Sequence, residues 1–382
     1  MIFLTITLVL LIIVFDIYLK CKPKSKLKIV PIKYNLKSEK NNNQIECFFE
    51  IINFSKDKET MISELDFEVD LFYKNNLLDF SYKKRIIINN GLIEEEINNY
   101  WPTKIIKSKH ALKVKTIVST NKEILGEDTS LLLKFKWDNY GHFGIKKRND
   151  CFIISNHIKA IKNKKLVEIN LNKEFQAIAI KTNMLGSFDD PVETICSYCG
   201  DVILKNDILI IGETPLAIMQ GRYILPNDLE ISFPSKILCY FFHPTSSLAT
   251  ASGMQVLINN VGITRISFSL IIGFLFKLFR VKGMFYRLAG EQSSLIDDIS
   301  GTTVPYDKAI VLGPNNAEIV CRNISKILKI EVAVVDVNDL GRVKILATSN
   351  KRIKPILNST LKNNPAGNDD QKTPIVLIRK KT

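Results

Sequence analysis

The chain opens with an apolar run that is followed at once by lysines. Residues 2–19 are hydrophobic except at Thr5, Thr7, Asp16 and Tyr18. As a helix this segment would be roughly 27 Å long at about 1.5 Å per residue, which matches the thickness of a bilayer core. The pattern therefore predicts a transmembrane anchor over residues 1–20.

The lysines after this run indicate its orientation. Residues 20–40 contain eight lysines and a single acid, Glu39. Under the positive-inside rule such a flank stays in the cytoplasm, and the basic linker at residues 21–28 can also contact anionic headgroups. A cleaved signal peptide is the alternative, but the run lacks a basic leading segment and a small-residue cleavage site. We expect a single-pass membrane protein whose residues 20–382 face the cytoplasm.

The stretch over residues 29–163 alternates hydrophobic and polar side chains. Odd positions from 65 to 73 are hydrophobic, whereas even positions from 64 to 70 are acidic. Residues 45–51 and 131–137 repeat this period of two, and Asn-rich or Gly-containing turn segments separate the runs. Several short strands at this spacing predict an all-β, sandwich-like domain. No cluster of catalytic residue types stands out in it, which favours a spacer or docking role.

The pattern changes near Leu166 to short apolar strands mixed with helical segments, as in an α+β domain. Strands are predicted over residues 177–181, 208–211 and 329–337, and helices over residues 191–199, 246–260 and 315–326. Residues 266–279 form another apolar stretch of 14 residues, with Lys277 inside it. This stretch is too short to span a bilayer comfortably. It predicts either an amphipathic helix lying on the bilayer or on the sandwich, or a core helix.

Composition and charge narrow the classes of partner. The 382 residues are 46% hydrophobic and carry a formal net charge of +14, which excludes wholesale disorder. The basic excess is concentrated in residues 20–40, 265–287 and 351–382, and the remainder is slightly acidic. These clusters are membrane-proximal or terminal and lack an interleaved aromatic platform, so we expect no nucleic-acid partner.

The seven cysteines are scattered and odd in number, so no disulfide framework is implied. Cys196 and Cys199 form the only C-x-x-C pair. A structural zinc site would need four ligands, and a redox pair would lie at a helix start. Asp190 instead predicts the N-cap of a helix that ends with these cysteines, which favours buried packing thiols.

Acidic residues after the last predicted strand suggest cation chemistry. Asp336 and Asp339 precede Gly341 and Arg342. Carboxylates at a strand end, beside a glycine and an arginine, suit a divalent cation that carries phosphate oxygens. Asp297 lies in a second acidic loop, and carboxylates from two converging loops are what such chemistry requires. Polar turns solvated by water explain the same residues.

One segment resembles a known family. Residues 207–222 read Asp-Ile-Leu-Ile-Ile-Gly-Glu-Thr-Pro-Leu-Ala-Ile-Met-Gln-Gly-Arg. This strand, Glu-bearing turn and helix ending in Gln-Gly-Arg resemble the coenzyme F-420 gamma-glutamyl ligase family, and the similarity spans roughly residues 173–350. Three departures are visible. The family's Ala-Gly-Ile-Asp signature is split between Ala289-Gly290 and Ile296-Asp297. Thr214-Pro215 stands where the family usually has a lysine, and Asp339 is shifted by one position within the family's acidic Gly-Arg loop.

The resemblance implies an amide ligase that attaches glutamate to a phosphodiester deazaflavin, using GTP with Mg²⁺ or Mn²⁺. It implies metal ligands at Asp297, Asp336 and Asp339. It implies phosphate or substrate contacts at Glu213, Gln220, Gly221, Arg222, Gly341 and Arg342. No residue is assigned as the catalytic acid or base.

Taken together, the sequence predicts an anchor, a β-sandwich-like domain and a gamma-glutamyl-ligase-like α+β domain over residues 165–382. The expected function is a membrane-anchored, metal- and GTP-dependent ligase that adds glutamate to a phosphorylated acceptor. The alternative is a catalytically inactive family member that serves as a membrane-associated ligand-binding or scaffold protein. Expected partners are the bilayer, through residues 2–19, an anionic small molecule and a second copy in a homodimer.

Overall fold

The computed structural model describes most of the chain. The described residues are 2–21, 26–39, 42–56, 58–73, 76–89, 94–97, 100–121, 126, 129–141, 144–162, 164–281, 283–298, 306–337, 342–362, 364–367 and 373–381. Asp339 and Gly341 of the predicted site therefore lie outside the described residues, as does part of the basic linker.

The described residues of the N-terminal domain form ten antiparallel strands in two sheets. The strands are β1 (Leu27–Glu39), β2 (Asn42–Asn53), β3 (Thr60–Tyr73), β4 (Asn76–Leu78), β5 (Lys83–Asn89), β6 (Glu94–Ile97), β7 (Lys104–Ile106), β8 (Ala111–Thr120), β9 (Thr129–Gly141) and β10 (Gly144–Ser155). One sheet has the order β1-β2-β8-β5-β6, and the other has the order β10-β9-β3-β4 with β7 paired to β3. The predicted β-sandwich is confirmed.

The period of two in β3 places its hydrophobic side chains in the core between the sheets. Phe67 is fully buried, and its ring stacks on Phe135 of β9 with 5.6 Å between centroids. Phe49 of β2 meets Phe135 edge to face at 4.9 Å, which joins the two sheets. Tyr73 departs from the prediction, because it is 42% exposed at the end of β3.

The C-terminal region is an α/β domain around a six-stranded sheet. Its strands are β11 (Leu166–Asn170), β12 (Phe175–Ile180), β13 (Ile208–Gly212), β14 (Tyr223–Ile224), β15 (Ile310–Val311), β16 (Glu331–Val337), β17 (Val343–Thr348) and β18 (Ile375–Lys380). The main sheet has the order β11-β12-β18-β13-β16-β17, and β14 pairs separately with β15. Only the β13–β16 pairing in the main sheet is parallel among the described strands.

Helices cover both faces of this sheet. The chain's helices are α1 (Ile2–Cys21), α2 (His157–Lys162), α3 (Pro191–Cys199), α4 (Glu213–Met219), α5 (Phe233–Leu238), α6 (Ala251–Val261), α7 (Ile263–Leu278), α8 (Met284–Ala289), α9 (Ala317–Leu328) and α10 (Lys354–Thr360). Residues of α3, α4 and α9 pack on one face, and residues of α10 pack on the other. Helices α5 to α8 surround a separate hydrophobic cluster.

Most predicted elements of this domain are confirmed to within a few residues. Asp190 caps α3 by accepting bonds from the backbone N–H groups of Val192 and Glu193, both at 2.9 Å. The helix predicted over residues 246–260 is divided, because a 3₁₀ turn over Ser247–Ala249 precedes α6. The Thr250 hydroxyl accepts a hydrogen bond from the backbone N–H of Gly253. Helix α6 therefore begins after Thr250 and not at residue 246.

The sandwich contacts the α/β domain through a shared apolar cluster. Cys151 and Ile153 of β10 pack with Ile218 and Tyr306. Asp228 accepts a 2.7 Å hydrogen bond from the backbone N–H of Asn149. The two domains therefore share buried contacts in addition to their covalent linkage.

The apolar stretch of α1 with described side chains is Thr5–Asp16. Within the described part of the chain, no single helix combines the length and the apolarity needed to cross a membrane. Helices α6 and α7 together have the length and the apolar composition needed to cross a membrane, but their axes are bent by 112° at the junction.

Candidate functional site

Strands β13 and β16 run parallel and end together, which positions two carboxylates. Gly212, the last residue of β13, pairs with Val335 of β16. Glu213 begins α4 directly after Gly212, and Asp336 follows Val335. Because the carboxyl ends of parallel strands meet at one edge of a sheet, Glu213 and Asp336 become neighbours.

The Glu213 carboxyl is strongly perturbed by this position. The residue is only 7% exposed. Burial raises its pKa most, and the charges of Asp336 and Asp297 raise it further, to about 8, although Lys344 opposes them. A buried carboxyl disfavours its charged form, and neighbouring carboxylates add to that effect. Glu213 therefore exchanges a proton near neutral pH, as perturbed carboxyls in active sites do.

Asp297 reaches this edge through a backbone bridge. Its N–H donates to the carbonyl of Val311 at 2.8 Å, and the N–H of Val311 donates back at 2.9 Å. Val311 belongs to β15, which pairs with Tyr223 of β14 just after α4. The loop after α8 is thereby fixed beside the strand ends. Asp297 and Asp336, two of the predicted metal ligands, are both close enough to act on the charge of Glu213.

Lys344 is a member of the site that nothing in the sequence singles out. It pairs with Asp336 across the β16–β17 ladder. Its Nζ donates to the carbonyl and to the hydroxyl of Ser294, both at 3.0 Å. The position of Lys344 opposite Asp336 follows from the register of the β16–β17 hairpin, which the sequence alone does not give.

A cavity of about 210 Å³ opens beside Glu213. Its lining includes Thr182, Asn183, Glu213, Thr214, Tyr306 and Asp336. Pockets for whole drug-sized ligands are usually about 300–1,000 Å³. The cavity therefore has room for one end of a ligand. Its lining is largely apolar, and the charged side chains in it are those of Glu213 and Asp336.

The Gln-Gly-Arg segment supports neighbouring loops. Gln220 accepts a bond from the backbone N–H of Asn315 at 2.7 Å and donates to the Asn315 carbonyl at 2.9 Å. Arg222 donates to the carbonyl of Gly313 and to the side chain of Gln292. Gly221 has φ of +63°, which glycine adopts without strain. The segment thus holds the turn before α9, and its contact with phosphate or substrate stays a prediction.

The rest of the predicted metal and phosphate set is only partly described. Arg342 is exposed just before β17. In the parts of the chain that the structure describes, no group of three or more His, Cys, Asp or Glu side chains is arranged to hold a metal ion. Asp339, the third predicted ligand, lies outside those parts, so the metal set stays a prediction.

The C-x-x-C pair lies apart from this edge, in the last turn of α3. Cys199 is fully buried, Cys196 is half-buried, and burial raises the pKa of both thiols. Thiols in such surroundings are poor nucleophiles. The prediction of packing cysteines agrees with this position.

Comparisons with known proteins identify the N-terminal domain. Residues 28–158 match the family model described as "F420-0:gamma-glutamyl ligase, N-terminal Ig-like domain". None of the curated proteins searched matches the chain.

Similar solved structures cover about a third of the chain. A putative ApaA protein from Bordetella pertussis is 8% identical and covers 35% of this chain and 97% of its own, with a TM-score of 0.21. A protein from Archaeoglobus fulgidus is 12% identical and covers 34% and 94%, with a TM-score of 0.19. An uncharacterized β-sandwich protein from Clostridium difficile 630 is 12% identical and covers 32% and 80%, also with a TM-score of 0.19. Scores this low add nothing to the family match.

The family match corrects the location of the resemblance. The sequence motifs that resemble the ligase family lie at residues 173–350, whereas the matched region is the sandwich, in which no catalytic residue type stands out. The family is therefore supported at the N-terminal domain and not at the C-terminal one. Residues 28–158 are similar to the N-terminal Ig-like domain of F420-0:gamma-glutamyl ligases.

Proposed function

We propose that the chain is a gamma-glutamyl-ligase-like enzyme, anchored in a membrane with its bulk in the cytoplasm. It would use GTP and Mg²⁺ or Mn²⁺ to add glutamate to a phosphorylated acceptor. Support comes from two independent parts of the chain, the Ig-like family match at residues 28–158 and the motif at residues 207–222.

The observation that carries the proposal is the convergence of carboxylates at the ends of β13 and β16. Glu213, Asp336 and Asp297 come from three separate segments, and the last two raise the pKa of the first. Carboxylates crowded in this way repel one another unless protons or cations compensate them. Natural sequences tolerate such crowding mainly at functional sites.

The donor chemistry at this edge fits a hard divalent cation. Carboxylate oxygens are the ligands that Mg²⁺ and Mn²⁺ prefer. Asp297 and Asp336, together with Asp339, would hold the ion, which would neutralise phosphate charge when GTP is bound. The described residues alone do not supply a complete ligand set.

The chain's own residues suit the remaining tasks of an acid–amine ligase. The cavity beside Glu213 has room for one end of a ligand. Lys344, fixed by Ser294, supplies a positive charge beside Asp336. The pKa of Glu213 is raised to about 8, so its deprotonated fraction at and above that pH can accept the proton that an ammonium group must lose before it attacks.

A second candidate function is a membrane-associated ligand-binding or scaffold protein without turnover. Thr214 and Pro215 follow Glu213 where the ligase family usually has a lysine, so a phosphate contact is missing. Phosphoryl transfer depends on such charge compensation. A protein of this kind would retain ligand binding at the cavity without hydrolysing GTP.

The proposed activity can be tested with the full chain in detergent. The assay contains GTP, L-glutamate, Mn²⁺ and a phosphodiester deazaflavin acceptor, and it measures phosphate release and glutamate incorporation. We expect Asp336→Asn to lower both rates by roughly 100-fold, as the loss of a charged group in a phosphate-metal site does. Glu168→Gln, an exposed carboxylate on the edge strand β11, is the matched control and should retain the parent rate.

Two results would overturn the ligase proposal. One is the absence of turnover, and the other is turnover that Asp336→Asn leaves unchanged. Binding of labelled GTP without hydrolysis would instead support the second candidate.

Membrane anchoring is the second part of the proposal. The described apolar side chains of α1 from Ile6 to Phe15 are 49–61% exposed, so the parts of the chain that the structure describes leave them largely uncovered. We expect the protein in the membrane fraction and its domains protected from protease added to intact cells, because the flanking lysines stay inside. Cleavage beyond Lys40 in intact cells would show the opposite orientation.

A further inference from the structure

Helix α7 buries one side and leaves the other uncovered. Ile266 and Ser269 are buried, and Gly273 lies against α8, where an added Cβ would be 3.1 Å from the Cβ of Phe285. The opposite side is apolar and is between 46% and 79% exposed. It consists of Phe268, Ile271, Phe274, Leu275, Leu278 and Phe279. We call these six residues the α7 apolar face.

The α7 apolar face is a continuous stripe. Phe268, Ile271, Leu275 and Leu278 follow the spacing i, i+3, i+7 and i+10, which lines one side of an α-helix. With 16 residues α7 is about 24 Å long, so it is too short to cross a bilayer but long enough to lie along one. Its partner in the bent pair, α6, is mostly buried and is not available to extend it.

The charged residues of the segment that carries the α7 apolar face are basic. Residues 262–290 contain five basic residues and no acid. Arg265, Lys277, Arg280 and Arg287 are described and exposed. The basic end of α7 therefore adjoins exposed hydrophobic side chains on the same surface.

Further exposed aromatic side chains lie nearby. Tyr240 and Phe241 are 87% and 71% exposed. The next residue, Phe242, packs on Phe285 of α8 with 4.8 Å between ring centroids. Since Phe285 also contacts α7 at Gly273, these aromatics belong to the same helical cluster as the α7 apolar face.

We propose that the α7 apolar face lies in the interface of an anionic lipid bilayer, with its aromatic and aliphatic side chains among the acyl chains. Short helices with an apolar face and basic residues beside it bind membranes in this way. Lys277, Arg280 and Arg287 contact the anionic headgroups, to which each basic residue contributes. A second copy of the chain is a poorer occupant, because a symmetric contact would bring two basic surfaces together.

This membrane contact goes beyond the proposed ligase activity and is separate from the N-terminal anchor. An anchor alone leaves the orientation of the α/β domain free. A second contact through α7 fixes the orientation of the α/β domain relative to the membrane surface. The proposal therefore concerns this orientation and is independent of catalytic turnover.

A local fluorescent probe tests this proposal in the full chain. The native Trp101 and Trp137 are buried in the sandwich, so a Leu275→Trp variant adds an exposed reporter on α7. The variant is reconstituted into vesicles of phosphatidylcholine with or without phosphatidylglycerol, and quenching by brominated acyl chains is measured. We expect strong quenching and a blue shift in the anionic vesicles. Leu166→Trp on the exposed strand β11 is the matched control and should show neither effect.

Charge reversal separates the electrostatic contribution. In the Leu275→Trp background, Arg280→Glu should reduce the inserted population roughly fivefold or more, since each basic residue near an anionic surface contributes about that factor. No quenching of the Leu275→Trp emission in anionic vesicles would overturn the proposal. So would quenching that is equal in both vesicle types and unaffected by Arg280→Glu. A blue shift that depends on protein concentration without lipid would assign the face to a second copy. None of these readouts depends on ligase activity.

Discussion

Asp207→Ala is expected to lower the free energy of unfolding by about 3–5 kcal/mol, because it removes the carboxylate partner of the partly buried Arg379, whose guanidinium then keeps its bond to the carbonyl of Val202. Asp207 is 2% exposed, just before β13. Arg379 of β18 donates to both of its carboxylate oxygens, from Nε at 3.0 Å and from Nη2 at 2.7 Å. The backbone N–H of Leu204 donates to the same carboxylate at 2.9 Å. A single substitution therefore removes two hydrogen bonds that join the loop before β13 to strand β18, and one hydrogen bond within that loop.

Urea unfolding of the full chain in detergent, followed by circular dichroism, measures this change. Asp66→Ala is the matched control, because Asp66 makes an exposed ion pair with Lys84. Exposed pairs contribute less than about 1 kcal/mol. Equal losses for the two variants would contradict the structural role assigned to Asp207.

The second expected result is a pH-dependent gain of stability in Glu213→Gln. The folded-state pKa of Glu213 is raised from 4.5 to about 8, by burial first and then by Asp336 and Asp297. Between these two values the folded protein binds more protons than the unfolded chain. Stability therefore falls as pH rises from about 4.5 through about 8, because the folded state must give up a proton that it holds tightly.

Glutamine mimics the protonated carboxyl and does not titrate. Glu213→Gln should match the parent below about pH 4.5 and exceed it by on the order of 4 kcal/mol above about pH 8.5. The measurement is the unfolding free energy of both proteins across this range, in buffer with a chelator so that cations do not contribute. Glu168→Gln is the control. A constant difference between Glu213→Gln and the parent at all pH values would show that Glu213 is not perturbed.

Local patterns predicted the elements of this fold well. The alternation over residues 64–71 indicates β3, because successive side chains of a strand face opposite sides. Asp190 marks the start of α3, because its carboxylate bonds to nearby N–H groups and needs no distant partner. The prediction failed for Tyr73, since periodicity states which face a side chain occupies but not how much of it is covered.

The candidate site was predictable only in part. Asp297, Asp336 and Glu213 were identified from residue type and resemblance, and the structure brings Asp297 and Asp336 within electrostatic range of Glu213. Lys344 could not be found in advance, because its place opposite Asp336 depends on the register of β16 and β17. The supporting contacts of Gln220 with Asn315 join residues 95 positions apart, which no local pattern reports.

The sequence by itself determined many of the strands and helices, because side-chain alternation and capping act over a few residues. It also determined where the basic charge is concentrated. Only the tertiary structure decided that Glu213 is buried beside Asp336 and Asp297, and that α7 leaves an apolar face uncovered. Both properties depend on which distant segments cover a side chain. Burial and neighbouring charges set the pKa of Glu213, and the lack of covering segments sets the exposure of the α7 side chains.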